Sequence, residues 1–337
     1  MDCSSDVADC VGAVSHASVP AATPYVPPQG ANDVVEGALM FTGSREDTML
    51  PPASAAVLDS RVGFHIEGRG RPVVLLHSSM GSKGQWRSLV ERMRRSHRLI
   101  AIDLHGYGAS PMPPLREPFT LHHEVRLIES VLQVALLSGE TFHLVGHSYG
   151  AAVALQLARR KPHRLQSLAL YEPVAYHLLA PGQRGRVELE SVRDELQHCA
   201  DRGEALLGAQ RFIDYWSGAG SFGQLPRPVQ MSLAGLVRKT LLDFAALSRE
   251  PSTVDDYRCI GAPVCLFSGT TGPRPPRDVL DVLADALPQA RRHRVDAGHM
   301  APVTHSWLVN PVLECFIRGV DSGDTPPAAR SALPQRA

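Results

Sequence analysis

The chain has 337 residues, 44% hydrophobic and 20% charged, which is enough to bury a sizeable core in two domains or in one large α/β domain with an insertion. Its 34 Lys and Arg residues balance its 34 Asp and Glu residues, so no net charge attracts nucleic acid or an anionic membrane. The composition therefore predicts a small-molecule partner or a neutral protein surface, and it leaves the oligomeric state open.

Residues 1–58 combine Ala, Pro, Ser and Asp with few aromatic residues. Such a composition offers too little patterned apolar surface to offset the entropy lost on ordering, so it predicts a disordered extension. No basic segment followed by an apolar core begins the chain, and no apolar run is long enough to span a bilayer. The six cysteines show no C-x-x-C pair. We expect a soluble, cytoplasmic protein with reduced thiols.

Short apolar runs alternate with segments of helical periodicity between residues 59 and 320. The runs are Val73–Leu76, Leu99–Ile102, Phe142–Val145, Leu165–Leu170, Val264–Phe267 and the weaker His293–Val295. Each is short and lacks polar alternation, as expected for strands that are buried on both faces. This pattern predicts an α/β fold with a mostly parallel central sheet covered by helices, formed by residues 59–173 and 259–320.

Three segments have clear helix signals. Apolar residues recur at helical spacing after Thr120, a candidate N-cap, and again from Val279 to Leu287. Asn310 followed by Pro311 predicts the N-cap and first residue of a last helix through Phe316. Residues 321–337 are rich in Pro, Ala and Ser and predict a disordered tail.

Residues 174–258 interrupt the alternation, because they contain helical patches and no strand signal. This predicts a helical insertion between two strands of the sheet. Its larger apolar residues can line a ligand pocket or simply form the core of the insertion. They are Tyr176, Leu178, Leu179, Phe212, Tyr215, Trp216, Phe222 and Met231.

A serine stands between two glycines where a strand pattern changes to a helix pattern, in "LVGHSYGAAVAL". This is the strand–turn–helix context of a G-x-S-x-G nucleophile elbow. Gly146 and Gly150 leave out Cβ atoms that a tight turn cannot accommodate, and the turn forces Ser148 into a strained conformation. The hydroxyl then lies at the carboxyl edge of the sheet, near a helix N-terminus that favours negative charge. A chance match is the alternative.

A serine hydroxyl needs a base to act as a nucleophile near neutral pH. His299 follows the last predicted strand in "VDAGHMAPVTH" and comes after the serine in the chain, which makes it the candidate base. His305 is the alternative, although its position is typical of a helix start.

The sequence predicts neither a metal site nor a cofactor. His105 and the pair His122 and His123 lack H-E-x-x-H spacing. The glycines near the strands do not form G-x-G-x-x-G, and no Walker-type lysine follows a glycine loop. Asp103 is expected to organise its loop.

Four motifs in order, "VVLLHSSMGSKGQW", "AIDLHGYGAS", "LVGHSYG" and "DAGHMAP", resemble those of the α/β-hydrolase superfamily over Arg61 to Arg318. The resemblance implies an α/β-hydrolase fold of the serine hydrolase type. It also implies that the insertion at 174–258 is a helical cap over the active site.

The resemblance further implies an oxyanion hole formed by the backbone N–H groups of Tyr149 and Ser79. The family usually has His-Gly where this chain has His77 and Ser78. If that loop needs a positive φ, Ser78 is strained.

The family usually places its acid just beyond the strand that corresponds to Val264–Phe267, where this chain has Thr270, Thr271 and Gly272. Glu172, after the neighbouring strand, resembles the position of the acid in a minority of the family. A carboxylate there can hold the tautomer of the imidazole. Asp278 and the absence of an acid are the alternatives.

These features predict a serine hydrolase that cleaves an ester, thioester or lactone through an acyl-enzyme on Ser148, with His299 as general base and Glu172 as the acid. A serine rather than an aspartate at the elbow argues against a covalent-alkyl mechanism, because an alkyl–serine ether could not be hydrolysed. A non-catalytic ligand-binding protein, an acyltransferase and a C–C hydrolase are alternatives. The acyl length is open.

Overall fold

The computed structural model describes residues 62–113 and 117–324. The predicted N-terminal extension, residues 1–58, and most of the predicted tail lie outside these residues. Among the helices within them, none has both the length and the apolar character that crossing a membrane requires.

The described residues form a seven-stranded sheet in the order β1-β3-β2-β4-β5-β6-β7. The strands are β1 (Phe64–Gly68), β2 (Arg71–Leu76), β3 (His97–Ile102), β4 (Phe142–His147), β5 (Leu165–Tyr171), β6 (Val264–Gly269) and β7 (Ala290–Val295). All neighbouring pairs are parallel except β1 and β3, which are antiparallel. The predicted mostly parallel sheet is therefore confirmed.

Helices lie on both faces of this sheet and in the segment between β5 and β6. They are α1 (Arg87–Met93), α2 (Leu121–Ala135), α3 (Tyr149–Arg160), α4 (Arg184–Asp201), α5 (Ala205–Ser217), α6 (Arg227–Gly235), α7 (Val237–Ser248), α8 (Pro275–Ala286), α9 (Ala301–Thr304) and α10 (Ser306–Ser322). Helices α2, α3 and α8 contribute to one apolar cluster, and α1 and α10 contribute to the other. Successive residues of β2 alternate between these clusters, as the period of a strand requires.

Strand β1 has no counterpart among the predicted strands. Within residues 62–113 and 117–324 it pairs only with β3, and its residues are half-buried or exposed. An edge strand of this kind lacks the continuous apolar run by which the buried strands are recognised.

The last helix differs from the prediction at both ends. It begins at Ser306, so Pro311 lies inside it rather than at its first position. The Asn310 side chain donates to Ser88 Oγ (3.2 Å) instead of capping the helix. Its apolar face, including Val309, Leu313 and Ile317, is buried, and this packing outweighs the hydrogen bond that a proline cannot make.

The predicted tail also starts too early, because α10 continues through Ser322. Asp321 therefore belongs to the helix, where its carboxylate lies 3.0 Å from Arg71 Nη1. The prediction was wrong here because the polar composition of this segment does not show its contact with the sheet.

The segment between β5 and β6 contains α4 to α7, as the helical patches predict. A buried group of charges joins this insertion to the core. Lys239 of α7 is 1% exposed, pairs with Asp243 one turn later, and lies 3.1 Å from Glu124 Oε1 of α2. Burial raises the pKa of Asp243, and the Lys239 ammonium opposes that shift. One cation thus compensates two buried carboxylates.

Replacing Lys239 with methionine, which has a similar volume, should leave Glu124 and Asp243 buried without their cation. We expect the free energy of unfolding to fall by about 3–5 kcal/mol. Urea denaturation measures this directly. The control is Arg292→Met, which removes an exposed pair with Asp281 and should cost at most about 1 kcal/mol. Equal effects of the two substitutions would contradict the anchoring role of Lys239.

Candidate active site

Ser148 lies at the turn between β4 and α3, with φ 57° and ψ −117°. The two flanking glycines are required by close packing. A Cβ on Gly146 would lie 2.6 Å from Ala151 Cα, and a Cβ on Gly150 would lie 2.3 Å from the His77 carbonyl oxygen. The backbone of Ser148 is held by its N–H, which donates to the Tyr171 carbonyl (2.9 Å). The elbow therefore has the strained conformation expected from its sequence.

Three predicted site residues meet in a hydrogen-bonded row. Ser148 Oγ lies 2.9 Å from His299 Nε2, and His299 Nδ1 lies 2.7 Å from Glu172 Oε2. All three residues are at most 5% exposed. Because a carboxylate only accepts hydrogen bonds, the imidazole donates through Nδ1–H and its Nε2 accepts from the serine hydroxyl. This arrangement permits proton transfer from Ser148 to His299.

Glu172 is held by its backbone and by a second hydrogen bond. It follows β5 directly, with a φ of 44°, and its N–H donates to the Phe267 carbonyl (3.0 Å). Its other carboxylate oxygen, Oε1, accepts from the Gly269 N–H (2.7 Å) at the end of β6. The neighbouring strand thus fixes the orientation of the carboxylate.

The alternative acid, Asp278, lies elsewhere. It is in the first turn of α8, where it accepts from the Gly185 N–H (3.1 Å) and pairs with Arg274 (3.0 Å). The structure thus places Glu172, rather than Asp278, beside the imidazole. The site therefore contains a carboxylate, contrary to the alternative in which the acid is absent.

The imidazole of His299 is packed by two aromatic rings. Trp216, on α5 of the insertion, stacks on it with ring centroids 4.0 Å apart and an angle of 28° between the planes. The second ring is that of His147, whose Nε2–H also donates to the His299 carbonyl (2.9 Å). Burial lowers the pKa of His147 well below its usual value, which keeps that ring neutral. The alternative base, His305, instead bonds Thr304 Oγ1 (2.8 Å) and packs on Trp307.

The loop after β2 lies near Ser148, since Ser79 of this loop and Ser148 line the same recess. His77 Nε2 accepts from the Leu104 N–H (3.0 Å), so its Nδ1–H donates to the Ser78 carbonyl (2.7 Å). The positive φ in this loop is at Met80 (57°), not at Ser78, so the strain expected at Ser78 is not found. The Ser78 N–H donates to Gln85 Oε1 (3.2 Å).

The two predicted oxyanion donors belong to different segments, the start of α3 and the loop after β2. Tyr149 is the first residue of α3, and its N–H is one of the four that a helix start leaves without a helical acceptor. Ser79 lines the same recess as Ser148, and its hydroxyl donates to Asp243 Oδ2 (2.6 Å). The side chain of Ser79 is therefore tied to the insertion.

Sequence reasoning did not find Asp243 and Lys239. Asp243 Oδ2 also accepts from the Tyr107 hydroxyl (2.5 Å), and the Lys239 ammonium lies 4.4 Å from the centre of the Tyr107 ring. The available signal was a Lys and an Asp four residues apart among apolar residues in "VRKTLLDF". That spacing alone is common on exposed helices.

Two spaces of very different size meet at Ser148. One is an open cleft of about 1330 Å³ that extends past His299 and Trp216 to the start of α10. The other is a recess of about 20 Å³ beneath the insertion. The recess is lined by Ser79, Ser148, Val174, Tyr176, Leu189, Phe212, Trp216, Asp243, Phe244 and Leu247. Of the insertion residues considered above, Tyr176, Phe212 and Trp216 line it, whereas Met231 is exposed.

The chain is similar to several known proteins. A family model described as alpha/beta hydrolase fold matches residues 71–306. A haloalkane dehalogenase of Agrobacterium fabrum is 37% identical over 107 residues, which are 32% of this chain and 34% of the dehalogenase. A 2-hydroxymuconate semialdehyde hydrolase of a Pseudomonas species is 32% identical over 33% of this chain and 39% of its own length. The matches thus span less than half of these relatives.

Solved structures resemble the chain over a longer range. A thermophilic esterase from Thermogutta terrifontis has a TM-score of 0.63 and covers 77% of this chain and 93% of its own. Its identity is 21%, so the likeness concerns the fold.

Because only one of the two acid candidates contacts His299, their substitution should affect the reactivity of Ser148 differently. Glu172→Gln should slow covalent labelling of Ser148 by a fluorophosphonate probe by about 10²-fold or more, because the amide no longer holds and stabilises the charged imidazole. Asp278→Asn, the matched control, should leave the rate unchanged. The second-order rate constant of labelling is measured for both variants. Slower labelling of Asp278→Asn with an unchanged rate for Glu172→Gln would identify Asp278 as the acid.

Proposed function

Because the chain belongs to the alpha/beta hydrolase fold family, we propose that it is a serine hydrolase that cleaves a small-molecule ester, thioester or lactone. The observation that carries the proposal is the buried row of hydrogen bonds from Ser148 through His299 to Glu172. This row opens into a cleft large enough for a small-molecule substrate.

In the proposed reaction, Ser148 Oγ attacks the acyl carbonyl carbon while its proton moves to His299 Nε2. Glu172 stabilises the imidazolium, which then gives the proton to the leaving oxygen or sulfur. A water molecule, deprotonated by His299, attacks the acyl-enzyme and releases the acid, which regenerates Ser148. The backbone N–H groups of Tyr149 and Ser79 stabilise the negative oxygen in both steps, and one such donor is typically worth about 10²–10³-fold in rate.

The serine nucleophile distinguishes the proposed ester hydrolysis from dehalogenation, the reaction named for one relative. A haloalkane dehalogenase matches about a third of the chain, yet the elbow here carries Ser148. Attack by serine on an alkyl halide would form an ether, which water and a histidine cannot hydrolyse. Acyl chemistry avoids this obstacle, because the ester formed on Ser148 is hydrolysed by the same base.

The alternative of a non-catalytic binding protein loses its main support. That support was the lack of a carboxylate at the family's usual acid position and the replacement of His-Gly by His77 and Ser78, yet Glu172 lies 2.7 Å from the imidazole and Ser78 has no positive φ. C–C bond hydrolysis is the second candidate, because a 2-hydroxymuconate semialdehyde hydrolase is among the relatives. Product analysis with ester and diketone substrates separates the two reactions.

We assign the two sides of the substrate to the recess and the cleft by their size. A recess of about 20 Å³ has room for about one water-sized group, so it fits a short acyl chain. The leaving group occupies the cleft, which is open to solvent. We therefore propose esters of short acids with a bulkier alcohol or thiol as the preferred substrates.

A fluorophosphonate probe tests the nucleophile. The protein should be labelled once, on Ser148, and Ser148→Ala should abolish both the labelling and nearly all ester hydrolysis. Peptide mass spectrometry locates the label. If folded protein is not labelled, or if Ser148→Ala hydrolyses esters at the original rate, the proposed mechanism is wrong.

A series of p-nitrophenyl esters tests the size of the recess. We expect kcat/KM for the acetate to exceed that for the octanoate by at least about tenfold, because the longer chain does not fit. Leu247→Ala, which enlarges the recess, should shift the preference towards longer chains. Leu137→Ala, at an exposed position, is the matched control. Equal rates across the series would show that the acyl chain binds elsewhere.

A further inference from the structure

Two buried histidines meet an aspartate at the amino end of the sheet, about one strand length from Ser148. His97 is the first residue of β3, His143 the second of β4, and Asp321 lies at the end of α10. His97 Nε2 is 2.9 Å from Asp321 Oδ2, and His143 Nε2 is 3.1 Å from Oδ1. We propose that these three side chains bind one divalent transition-metal ion, with zinc as the best match.

The donor atoms have the chemistry and spacing that zinc uses. Two imidazole nitrogens and one carboxylate are a common ligand set, with a water molecule as the fourth ligand. Tetrahedral zinc with bonds of about 2.0–2.1 Å separates its ligand atoms by about 3.3 Å. The ligand atoms here all lie within 4.8 Å of one another. Small side-chain movements therefore suffice to close the site around an ion.

Both imidazole rings are oriented by hydrogen bonds at the other nitrogen. His143 Nδ1 lies 2.7 Å from Ser167 Oγ, and His97 Nδ1 lies 2.9 Å from Ser96 Oγ. The Ser96 hydroxyl in turn donates to the Met93 carbonyl (3.2 Å). Such partners are what hold a metal-ligating histidine with its free nitrogen towards the ion.

Burial and exposure are also suitable for an ion with a water ligand. The side chains of His97 and His143 are 4% and 0% exposed, so the two rings have little freedom to turn away. The Asp321 side chain is 22% exposed, which gives an ion and its water a path from solvent.

Two arginines lie nearby, and one of them competes with the ion. Arg71 Nη1 is 3.0 Å from Asp321 Oδ1, but its side chain is 55% exposed and can move into solvent. Arg318 donates to Ser96 Oγ (3.2 Å) rather than to the carboxylate. Binding of an ion therefore requires the displacement of Arg71, and removal of this arginine should tighten the site.

An ion at this position would join β3, β4 and α10. The histidines and the aspartate are more than 170 positions apart in the chain, so no local spacing reveals the site. Because the ligands belong to three separate elements, the ion should bind the folded chain and stabilise it by mass action.

Titration of the metal-free, full-length protein with Co²⁺ tests the proposal. One equivalent should produce the visible absorption of four-coordinate cobalt, which Zn²⁺ should then abolish, and Zn²⁺ should raise the Tm by several degrees. His143→Ala and Asp321→Asn should weaken binding at least about 100-fold. His299→Ala and His65→Ala, which change histidines elsewhere, should retain it.

Arg71→Met provides a second test of the metal site, which does not require the variants of the ligand residues to fold. It should bind Co²⁺ several-fold more tightly than the original protein. The proposal is overturned if the original protein takes up no Co²⁺ at a single site, if the absorption persists in His143→Ala or Asp321→Asn, or if Arg71→Met binds no more tightly. The result is independent of whether the protein hydrolyses esters.

Discussion

The close approach of α3 to the sheet is the constraint on which the site depends. A Cβ at Gly150 would lie 2.3 Å from the carbonyl oxygen of His77, in the loop after β2. A Cβ at Gly146 would lie 2.6 Å from Ala151 Cα, in α3. With both Cβ atoms absent, the turn can be short enough to give Ser148 a positive φ. Such strain costs on the order of 1–3 kcal/mol, and burial of nearly the whole of α3 offsets it.

Backbone strain is concentrated around this turn. Among the described residues other than glycine, those with positive φ are Met80, Ser148 and Glu172. They belong to the loop after β2, the elbow and the end of β5, which are the three segments that the proposed mechanism uses for an oxyanion donor, the nucleophile and the acid. Strained residues persist where the surrounding structure over-determines them, and functional sites are where they collect. This distribution supports the assignment of the three roles to one site.

The insertion completes the site through both charge and packing. Asp243 accepts from Ser79 of the loop after β2, and Lys239 joins Asp243 to the core through Glu124. Trp216 covers the imidazole and also lines the recess. Because the same helices hold the loop and form the recess, a change in the insertion should alter substrate preference and the oxyanion loop together. At the other end of the sheet, α10 closes on the two histidines of the proposed metal site.

The sequence by itself determined the succession of buried strands along the chain, the helical character of the segment that follows β5, the elbow at Ser148 and the candidate base His299, because each is a local pattern of residue types. Only the tertiary structure decided which carboxylate lies beside the imidazole, Glu172 rather than Asp278, since this depends on β5 lying beside β6 and on the Gly269 N–H at the end of β6. The same holds for the edge strand β1, for the link from Asp243 to Ser79, and for the meeting of His97 and His143 with Asp321. These contacts join residues far apart in the chain, and the physical reason they were not predicted is that neither periodicity nor motif spacing contains information on which distant elements pack together.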